Sequence, residues 1–186
     1  LRQLGRNDEA LAAYETARNE LEAEGEGDAA GDCAIRRADL LLDLEHFEEA
    51  LGELLGGRDL LVGCVSCVAR CVERIADALA GLDRLDDALA SAEEAVALWD
   101  ACGEDDAIAA AELKAAGLLA RLGRSDDALQ TLDGLRSMYR CEGDAVGVAR
   151  CDRTAALALE AKGDEDAAIR LRRTSALVLA AAGVAA

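Results

Sequence analysis

The sequence Leu-Gly-Arg-Ser-Asp-Asp-Ala-Leu at residues 122–129 is one copy of a motif that recurs along the whole chain. Related copies occupy residues 4–11, 44–51, 82–89 and 162–169. A near-constant interval of this size predicts an array of structural repeats rather than a single enzyme core. The seventh place of every copy is an alanine, and the intervals are 40, 38, 40 and 40 residues between Ala10, Ala50, Ala88, Ala128 and Ala168.

Each copy of the motif predicts the end of one helix and the start of the next. Its leucine closes an apolar stripe, its glycine permits a left-handed turn, and its paired acids suit the first turn of a helix. A second set of glycines marks the other turn of each repeat, at Gly25, Gly63, Gly103 and Gly143. Each repeat is therefore predicted to be a two-helix hairpin, with about nine helices in all, near residues 7–24, 28–44, 47–62, 65–82, 85–102, 105–122, 125–141, 145–162 and 165–182.

The predicted helix at residues 47–62 differs from the other second helices of the hairpins. It contains Gly52, Gly56 and Gly57, and it is two residues shorter than its counterparts when measured from the motif alanine to the closing glycine. An internal glycine costs a helix up to about 1 kcal/mol. We therefore expect this helix to be the least stable one.

The composition agrees with a helical protein and excludes several functions. Of the 186 residues, 52% are apolar and only 2% are aromatic, and there is no proline, so strand formers are scarce. A net charge of −18 argues against binding nucleic acid or an anionic membrane surface, both of which attract clustered basic residues. No apolar run approaches the roughly 20 residues of a membrane span, and no leader segment is evident. We expect an all-α, cytoplasmic protein.

Two further observations concern the source of the chain. It starts at Leu1, inside a repeat, so we expect it to be part of a longer protein. Arginine outnumbers lysine 18 to 2, which favours a bacterial source with GC-rich codons.

A second invariant small residue completes the repeat pattern and carries a family resemblance. It lies twelve residues before the motif alanine, at Ala38, Ala76, Ala116 and Ala156. Small residues at these two places, the eighth and the twentieth of a repeat, resemble those of the tetratricopeptide repeat (TPR) family, although the period of about 40 exceeds the usual ~34. The resemblance implies a right-handed α-α superhelix of four to five hairpins, one domain over residues 1–186. Its repeats would be residues 1–25 (partial), 26–63, 64–103, 104–143 and 144–186.

The resemblance also implies a binding surface and a class of function. Members of the family bind peptides or protein segments along a concave face, without catalysis or cofactor, so we expect an interaction scaffold that serves as the regulatory part of a larger signalling protein. The concave face would be lined by the second, fifth, sixth, ninth, twelfth and thirteenth positions of each first helix. Seven basic and six acidic residues occupy those positions, namely Arg36, Arg70, Arg74, Lys114, Arg121, Arg150 and Arg153 with Asp32, Asp39, Asp43, Glu73, Asp77 and Glu160.

Two interpretations of these charges stay open. The sixth position holds Arg36, Arg74 and Lys114, a row of cations that suits an acidic segment of a partner or of another domain of the same protein. Alternatively, Arg36 with Asp39 and Arg74 with Asp77 are ordinary pairs three residues apart on a helix. The chain is not expected to be an enzyme, because its single histidine, His46, has no catalytic neighbours in the sequence.

The seven cysteines offer an alternative function. Cys64, Cys67 and Cys71 fall on one helical face, a spacing compatible with a redox pair or a metal site. In the repeat alignment, Cys67 and Cys71 occupy positions for small residues, whereas Cys64 replaces the acids of the other repeats, Glu26, Glu104 and Asp144. A thiol there would be reactive, with Cys67 as its resolving partner.

A third possibility is self-association through the terminal helices. The last predicted helix contains an apolar run, Leu177, Val178, Leu179, Ala180, Ala181 and Ala182, and no polar capping helix is predicted after it.

Overall fold

The computed structural model describes residues 6–184, which form nine helices and no strand. The prediction of an all-α chain is confirmed, and every predicted helix boundary lies within two residues of the observed one. No helix in the described range is both long and apolar enough to cross a membrane. The helices are α1 (Asn7–Glu24), α2 (Gly27–Asp43), α3 (Phe47–Leu60), α4 (Val65–Gly81), α5 (Leu85–Cys102), α6 (Asp105–Arg121), α7 (Ser125–Glu142), α8 (Ala145–Ala161) and α9 (Glu165–Ala181).

The chain divides into two compact units, Leu1–Ile108 and Ala109–Ala186. Unit 1 contains α1 to α5, and unit 2 contains α7 to α9 with most of α6. Within unit 1, consecutive helices from α1 to α5 pack as neighbours, and α2 also touches α4. Within unit 2, α8 lies against both α7 and α9. One repeat domain over residues 1–186 stays a prediction.

The turn inside each hairpin is closed by the same backbone hydrogen bond. The third residue of the motif donates its N–H to the carbonyl of a leucine five residues earlier, as Arg84 does to Leu79 (2.9 Å) and Arg124 does to Leu119 (2.9 Å). This is the long-range bond of a Schellman motif, which satisfies a carbonyl at the end of the helix. The motif leucine and the earlier leucine therefore belong to one helix end.

The left-handed residue of this turn need not be glycine. Gly123 and Gly163 have φ of 75° and 82°, as expected, but the equivalent positions in unit 1 are Glu45 (φ 60°) and Asp83 (φ 58°). A side chain in this region costs roughly 1–2 kcal/mol, which the Schellman bond and the packing of the hairpin offset.

Gly63 does not form the left-handed turn that its place in the repeat predicts. Gly25, Gly103 and Gly143 have positive φ at the ends of their helices, but Gly63 does not. Instead α3 ends at Leu60, and Leu61 turns its side chain inward and is 5% exposed. The reason is Gly31 of α2, where an added Cβ would lie 2.5 Å from Leu61 Cδ2. The missing side chain of Gly31 makes the space that Leu61 fills.

Fully buried alanines let the helices approach closely. The motif alanines Ala50, Ala88, Ala128 and Ala168 are each 0% exposed, as are all four of the second set, Ala38, Ala76, Ala116 and Ala156. In unit 2, Ala116 belongs to a core cluster with Leu132 and Leu135 of α7 and Cys151 and Ala155 of α8. Small residues at fixed positions thus set the distance between helices, and leucines fill the remaining volume.

Three largely buried ion pairs, which the sequence analysis did not anticipate, join different helices of the same unit. The Glu53 carboxylate of α3 contacts Arg18 of α1 (2.8 Å) and Arg37 of α2. In unit 2, Arg136 Nε of α7 lies 2.8 Å from Asp152 Oδ1 of α8. The Arg136 N–H does not point at that oxygen, so the contact is an ion pair rather than an aligned hydrogen bond. Breaking such pairs leaves a charge without compensation in a partly dry site.

The glycines of α3 give a stability prediction. An alanine Cβ at residue 57 would lie 2.7 Å from Cβ of Ala34, so Gly57→Ala should lower the free energy of unfolding by about 1–3 kcal/mol. The matched variant Gly56→Ala adds a methyl group where no heavy atom lies within 4 Å, and it should raise that free energy by up to about 1 kcal/mol. Urea unfolding followed by circular dichroism measures both. Effects of the same sign would contradict the close packing of α2 on α3.

Candidate binding surfaces

The predicted binding positions of unit 1 lie on one face formed by α2 and α4, here called the α2/α4 face. Arg74 Nε of α4 is 2.9 Å from Asp39 Oδ1 of α2, and Arg74 Nη1 is 3.0 Å from Asp77 Oδ2. Partial burial acts to lower the pKa of the Arg74 guanidinium, but Asp39 and Asp77 more than compensate, so this pKa is raised. The sixth position of one repeat therefore meets the ninth position of the repeat before it.

Asp32 holds the other two arginines of the α2/α4 face. Its carboxylate accepts from Arg36 Nε (2.7 Å), four residues along α2, and from Arg70 of α4. The expected pair of Arg74 with Asp77 is present, but Arg36 binds Asp32 rather than Asp39. Asp32 is only 30% exposed and Arg36 extends back along its own helix to reach it. All three cations of this face are engaged by carboxylates of the same face.

A cavity of about 500 Å³ opens at one end of the α2/α4 face. It gathers four of the predicted site residues, and the Phe47 ring that closes it packs against Gly81, where any Cβ would collide with the ring. Three carboxylates surround a single guanidinium, so the local charge is negative. The lining consists of Asp39, Leu42, Asp43, Phe47, Arg74 and Asp77. The predicted cations of the α2/α4 face, Arg36, Arg70 and Arg74, thus each contact a carboxylate.

In unit 2 the corresponding face, formed by α6 and α8 and here called the α6/α8 face, has a different chemistry. A Cβ placed on Gly117 would lie 3.7 Å from Thr154 Cγ2, so the ninth position again meets the sixth of the next repeat. Here the contact is small and uncharged. The basic residues predicted for this face are Lys114 and Arg121 on α6 and Arg150 and Arg153 on α8.

Only one acid accompanies these four basic residues at the predicted positions of unit 2. It is Glu160, whose carboxylate binds Arg172 of α9. Leu157, at the ninth position of α8, is 43% exposed. It lies two helical turns from Arg150 and therefore on the same side of the helix. The predicted positions of the α6/α8 face thus hold more basic than acidic residues, together with one exposed apolar side chain.

The structure separates the three clustered cysteines into a pair and a single residue. Cys64 and Cys67 are joined in a disulfide, with their Cα atoms 5.2 Å apart. Cys71 is fully buried, and its thiol donates to the carbonyl of Leu54 at 3.3 Å. Burial raises the pKa of the Cys71 thiol to about 11. Across residues 6–184, no group of three or more histidine, cysteine, aspartate or glutamate side chains is placed to hold a metal ion.

The other cysteines are free thiols in different surroundings. Cys151 is buried like Cys71, and burial raises its pKa to about 11 as well. Cys33 and Cys102 are half-buried, and Cys141 is exposed. The prediction that buried cysteines act as small core residues fits Cys71 and Cys151, which replace alanine in the repeat alignment.

The apolar run predicted for self-association is divided between surface and core. Leu177 is 67% exposed, whereas Leu179 is fully buried. Arg172 occupies the place at which α7 has the fully buried Leu132. A partner that covered this part of α9 would also have to accommodate the Arg172 guanidinium. Self-association stays a prediction.

One cavity of unit 2 was not anticipated from the sequence. It measures about 350 Å³ and lies among α7, α8 and α9, with Tyr139, Ser175 and Val178 in its wall. The repeat alignment contains the signal, because Ser175 and Val178 replace the longer Leu135 and Met138. The shortened side chains leave space beside Tyr139.

Comparisons with known proteins place the fold in one structural class. No family model and no curated protein matches the sequence. Two crystal structures of a Podosopora anserina protein, described as a kinesin light chain with nearly identical TPR-like repeats, are similar at TM-scores of 0.80 and 0.77 with 15% identity. Each alignment covers 97% of this chain and 90% of that protein. The fold is therefore that of an all-α solenoid of TPR-like repeats.

Two further solved structures have the same fold. MamA matches at a TM-score of 0.67 and 19% identity, over 98% of this chain and 94% of its own. Aspartyl phosphate phosphatase F from Bacillus subtilis matches at a TM-score of 0.70 and 20% identity. In that case 89% of this chain aligns with 43% of the larger protein. The TPR-like character expected from the two sets of alanines is confirmed.

The buried thiols predict a loss of stability at alkaline pH. In the unfolded chain the thiols of Cys71 and Cys151 ionise near the ordinary value of 9.0, but in the fold they stay protonated to about pH 11. The native state then binds more protons, so the free energy of unfolding should fall as pH rises from about 9 to about 11. The loss should be of order 2 kcal/mol for each thiol.

Urea unfolding in a reducing buffer across this pH range measures the effect. The double variant Cys71→Ala and Cys151→Ala should reduce the slope of the free energy of unfolding against pH. The variant Cys141→Ala should leave that slope unchanged, because the Cys141 thiol is exposed. Identical slopes for all three proteins would show that the buried thiols ionise as they do in water.

Proposed function

We propose that this chain is a non-catalytic scaffold for protein interaction, in which the α6/α8 face of unit 2 binds an acidic segment of a partner protein. The observation that carries the proposal is the charge of that face. At the predicted groove positions of unit 2, four basic residues, Lys114, Arg121, Arg150 and Arg153, occur with one acidic residue, Glu160, on a chain whose net charge is −18. Basic side chains gathered on one face of so acidic a chain suit an anionic segment.

The chemistry of the basic residues supports a carboxylate ligand. Three of the four are arginines, and a guanidinium can donate two parallel hydrogen bonds to one carboxylate. Lys114 and Arg121 are seven residues apart on α6, so they lie about two turns apart on the same side of that helix. This spacing suits several acidic side chains of an extended segment rather than one small anion.

Leu157 adds an apolar requirement. A leucine exposed by 43% within a basic face is a place where a partner can bury an apolar side chain, at about 25 cal/mol for each Å² removed from water. The segment that fits best has acidic residues on either side of an apolar one.

The α2/α4 face of unit 1 is left out of the proposed binding site. Binding an acidic segment there would first require Arg36, Arg70 and Arg74 to give up the carboxylates that they now contact. The resemblance to TPR-like proteins supports peptide binding as the class of function. A regulatory role in a larger cytoplasmic signalling protein is part of the proposal and rests on the sequence.

The test measures binding of a fluorescent peptide of alternating glutamate and leucine to the full 186-residue chain by anisotropy. The variant Arg150→Glu with Arg153→Glu should weaken binding by about tenfold or more, and binding should weaken as salt is raised. The matched control Arg170→Glu with Arg173→Glu makes the same charge change at the same spacing on α9 and should change affinity less than about twofold. Leu157→Ala should weaken binding by several-fold.

Three outcomes would overturn the proposal. One is that the unchanged chain fails to bind the acidic peptide. Another is that the two double variants bind it equally well. The third concerns self-association, since the chain is itself acidic: a mass that rises with protein concentration, and falls to the monomer in the Arg150→Glu and Arg153→Glu variant, would assign the face to a second copy of this chain.

A further inference from the structure

The connection between α3 and α4 holds Cys64 on a firmly held backbone, and Cys67 follows in the first turn of α4. The Asp28 carboxylate of α2 accepts hydrogen bonds from the N–H groups of Val62 (3.1 Å) and Gly63 (3.3 Å). Leu61 anchors the same connection in the core. Cys64 follows directly and is the N-cap residue of α4. Its position is therefore fixed from both sides, by the anchored connection and by the helix.

Cys64 stands where another repeat uses a carboxylate to cap the helix. At the start of α8 the Asp144 carboxylate accepts from the N–H groups of Val146 (2.9 Å) and Gly147 (3.0 Å). At the start of α4, Cys64 Sγ accepts from the N–H of Cys67 at 3.3 Å, and Cys67 is the residue equivalent to Gly147. The site therefore directs a backbone donor at an atom that carries negative charge in the other repeat.

A thiolate of Cys64 would be stabilised at this position. It would keep the Cys67 N–H and the Ser66 hydroxyl, which lies 3.3 Å from Cys64 Sγ, as donors. The positive end of the α4 dipole favours the same charge. Such groups favour a reactive cysteine at a helix N-terminus. Neither donor is available to the buried Cys71, which faces the Leu54 carbonyl.

The Cys64–Cys67 pair is partly accessible to solvent, and the residues next to Cys64 carry exposed apolar side chains. Val62 is 89% exposed and Val65 is 50% exposed, and they flank Cys64 on either side in the chain. Both sulfur-bearing residues are half-buried rather than enclosed. A disulfide-bearing molecule can therefore approach Cys64 without rearrangement of the helices.

We propose that Cys64 and Cys67 form a thiol–disulfide exchange site, with Cys64 as the attacking thiol and Cys67 as the resolving thiol. In the reduced chain the Cys64 thiolate attacks a disulfide RS–SR, forms a mixed disulfide and releases RS⁻, which takes up the proton that Cys64 lost. The Cys67 thiolate then attacks the Cys64 sulfur, closes the Cys64–Cys67 disulfide and releases the second thiol. The two cysteines lose two electrons and two protons, and RS–SR becomes two RSH.

The test starts from the fully reduced 186-residue chain and uses glutathione disulfide as the probe. Intact-mass spectrometry of the unchanged chain should show an early loss of two hydrogens, and peptide mapping should find no lasting glutathione adduct on Cys64 or Cys67. The variant Cys67→Ser should instead accumulate one glutathione, and peptide mapping should place it on Cys64. The variant Cys64→Ser should react about tenfold more slowly. Serine fits both positions, as a good N-cap at residue 64 and as a small side chain at residue 67.

The exposed thiol of Cys141 is the internal control, because it is accessible but has no partner cysteine bonded to it. A parallel reaction with oxidised thioredoxin distinguishes a protein disulfide from a low-mass one as the better substrate, and transfer from either supports the site. The proposal is overturned if neither reagent closes the Cys64–Cys67 bond, or if Cys141 takes up glutathione as fast as Cys64 does in the Cys67→Ser variant. Peptide binding at the α6/α8 face is measured separately, so failure of one proposal leaves the other standing.

Discussion

The close approach of helices at fully buried alanines is the constraint on which the rest of the structure depends. An alanine at both contact positions of every hairpin, such as Ala38 with Ala50 and Ala116 with Ala128, lets helix axes come near without loss of side-chain entropy. Any larger residue there would push the helices apart. The turn and the positions of the solvent-facing residues then follow from this spacing. The candidate binding surfaces therefore depend on a core whose side chains can change little in size.

The sequence predicted the features that the close helix packing controls. It did not predict those for which several arrangements have nearly equal free energies. Helix boundaries followed from the alanine period because each hairpin must bring two small residues together. The arginine partners did not follow. Arg36 can reach Asp32 or Asp39 on its own helix, and an exposed ion pair contributes only about 0.2–1 kcal/mol. Asp32 is shared with Arg70, 38 residues away, so its partners depend on the distance between helices. The prediction for Gly63 was wrong for a related reason. The turn at Gly63 depends on whether Gly31 leaves space for Leu61, and that is a tertiary contact.

Repetition of the backbone does not impose repetition of the surface. The ninth position of one repeat meets the sixth position of the next in both units, yet Asp39 with Arg74 forms an ion pair and Gly117 with Thr154 forms a small uncharged contact. The core positions must stay small to keep the helices packed, whereas these facing positions need only avoid a collision. An ionic contact engages the charges of the α2/α4 face internally. The contact between Gly117 and Thr154 in the α6/α8 face involves no charge.

The cysteine pair shows how chemistry can enter such a repeat without changing its fold. The N-cap position needs an acceptor for backbone N–H groups, and a sulfur at Cys64 supplies one as the Asp144 carboxylate does in α8. The second position needs only a small residue, which Cys67 is. The connection before the pair is held by Asp28 and Leu61, neither of which belongs to the disulfide. Opening the Cys64–Cys67 bond would therefore leave the start of α4 in place. The proposed exchange is then a local reaction on a rigid support rather than a conformational switch.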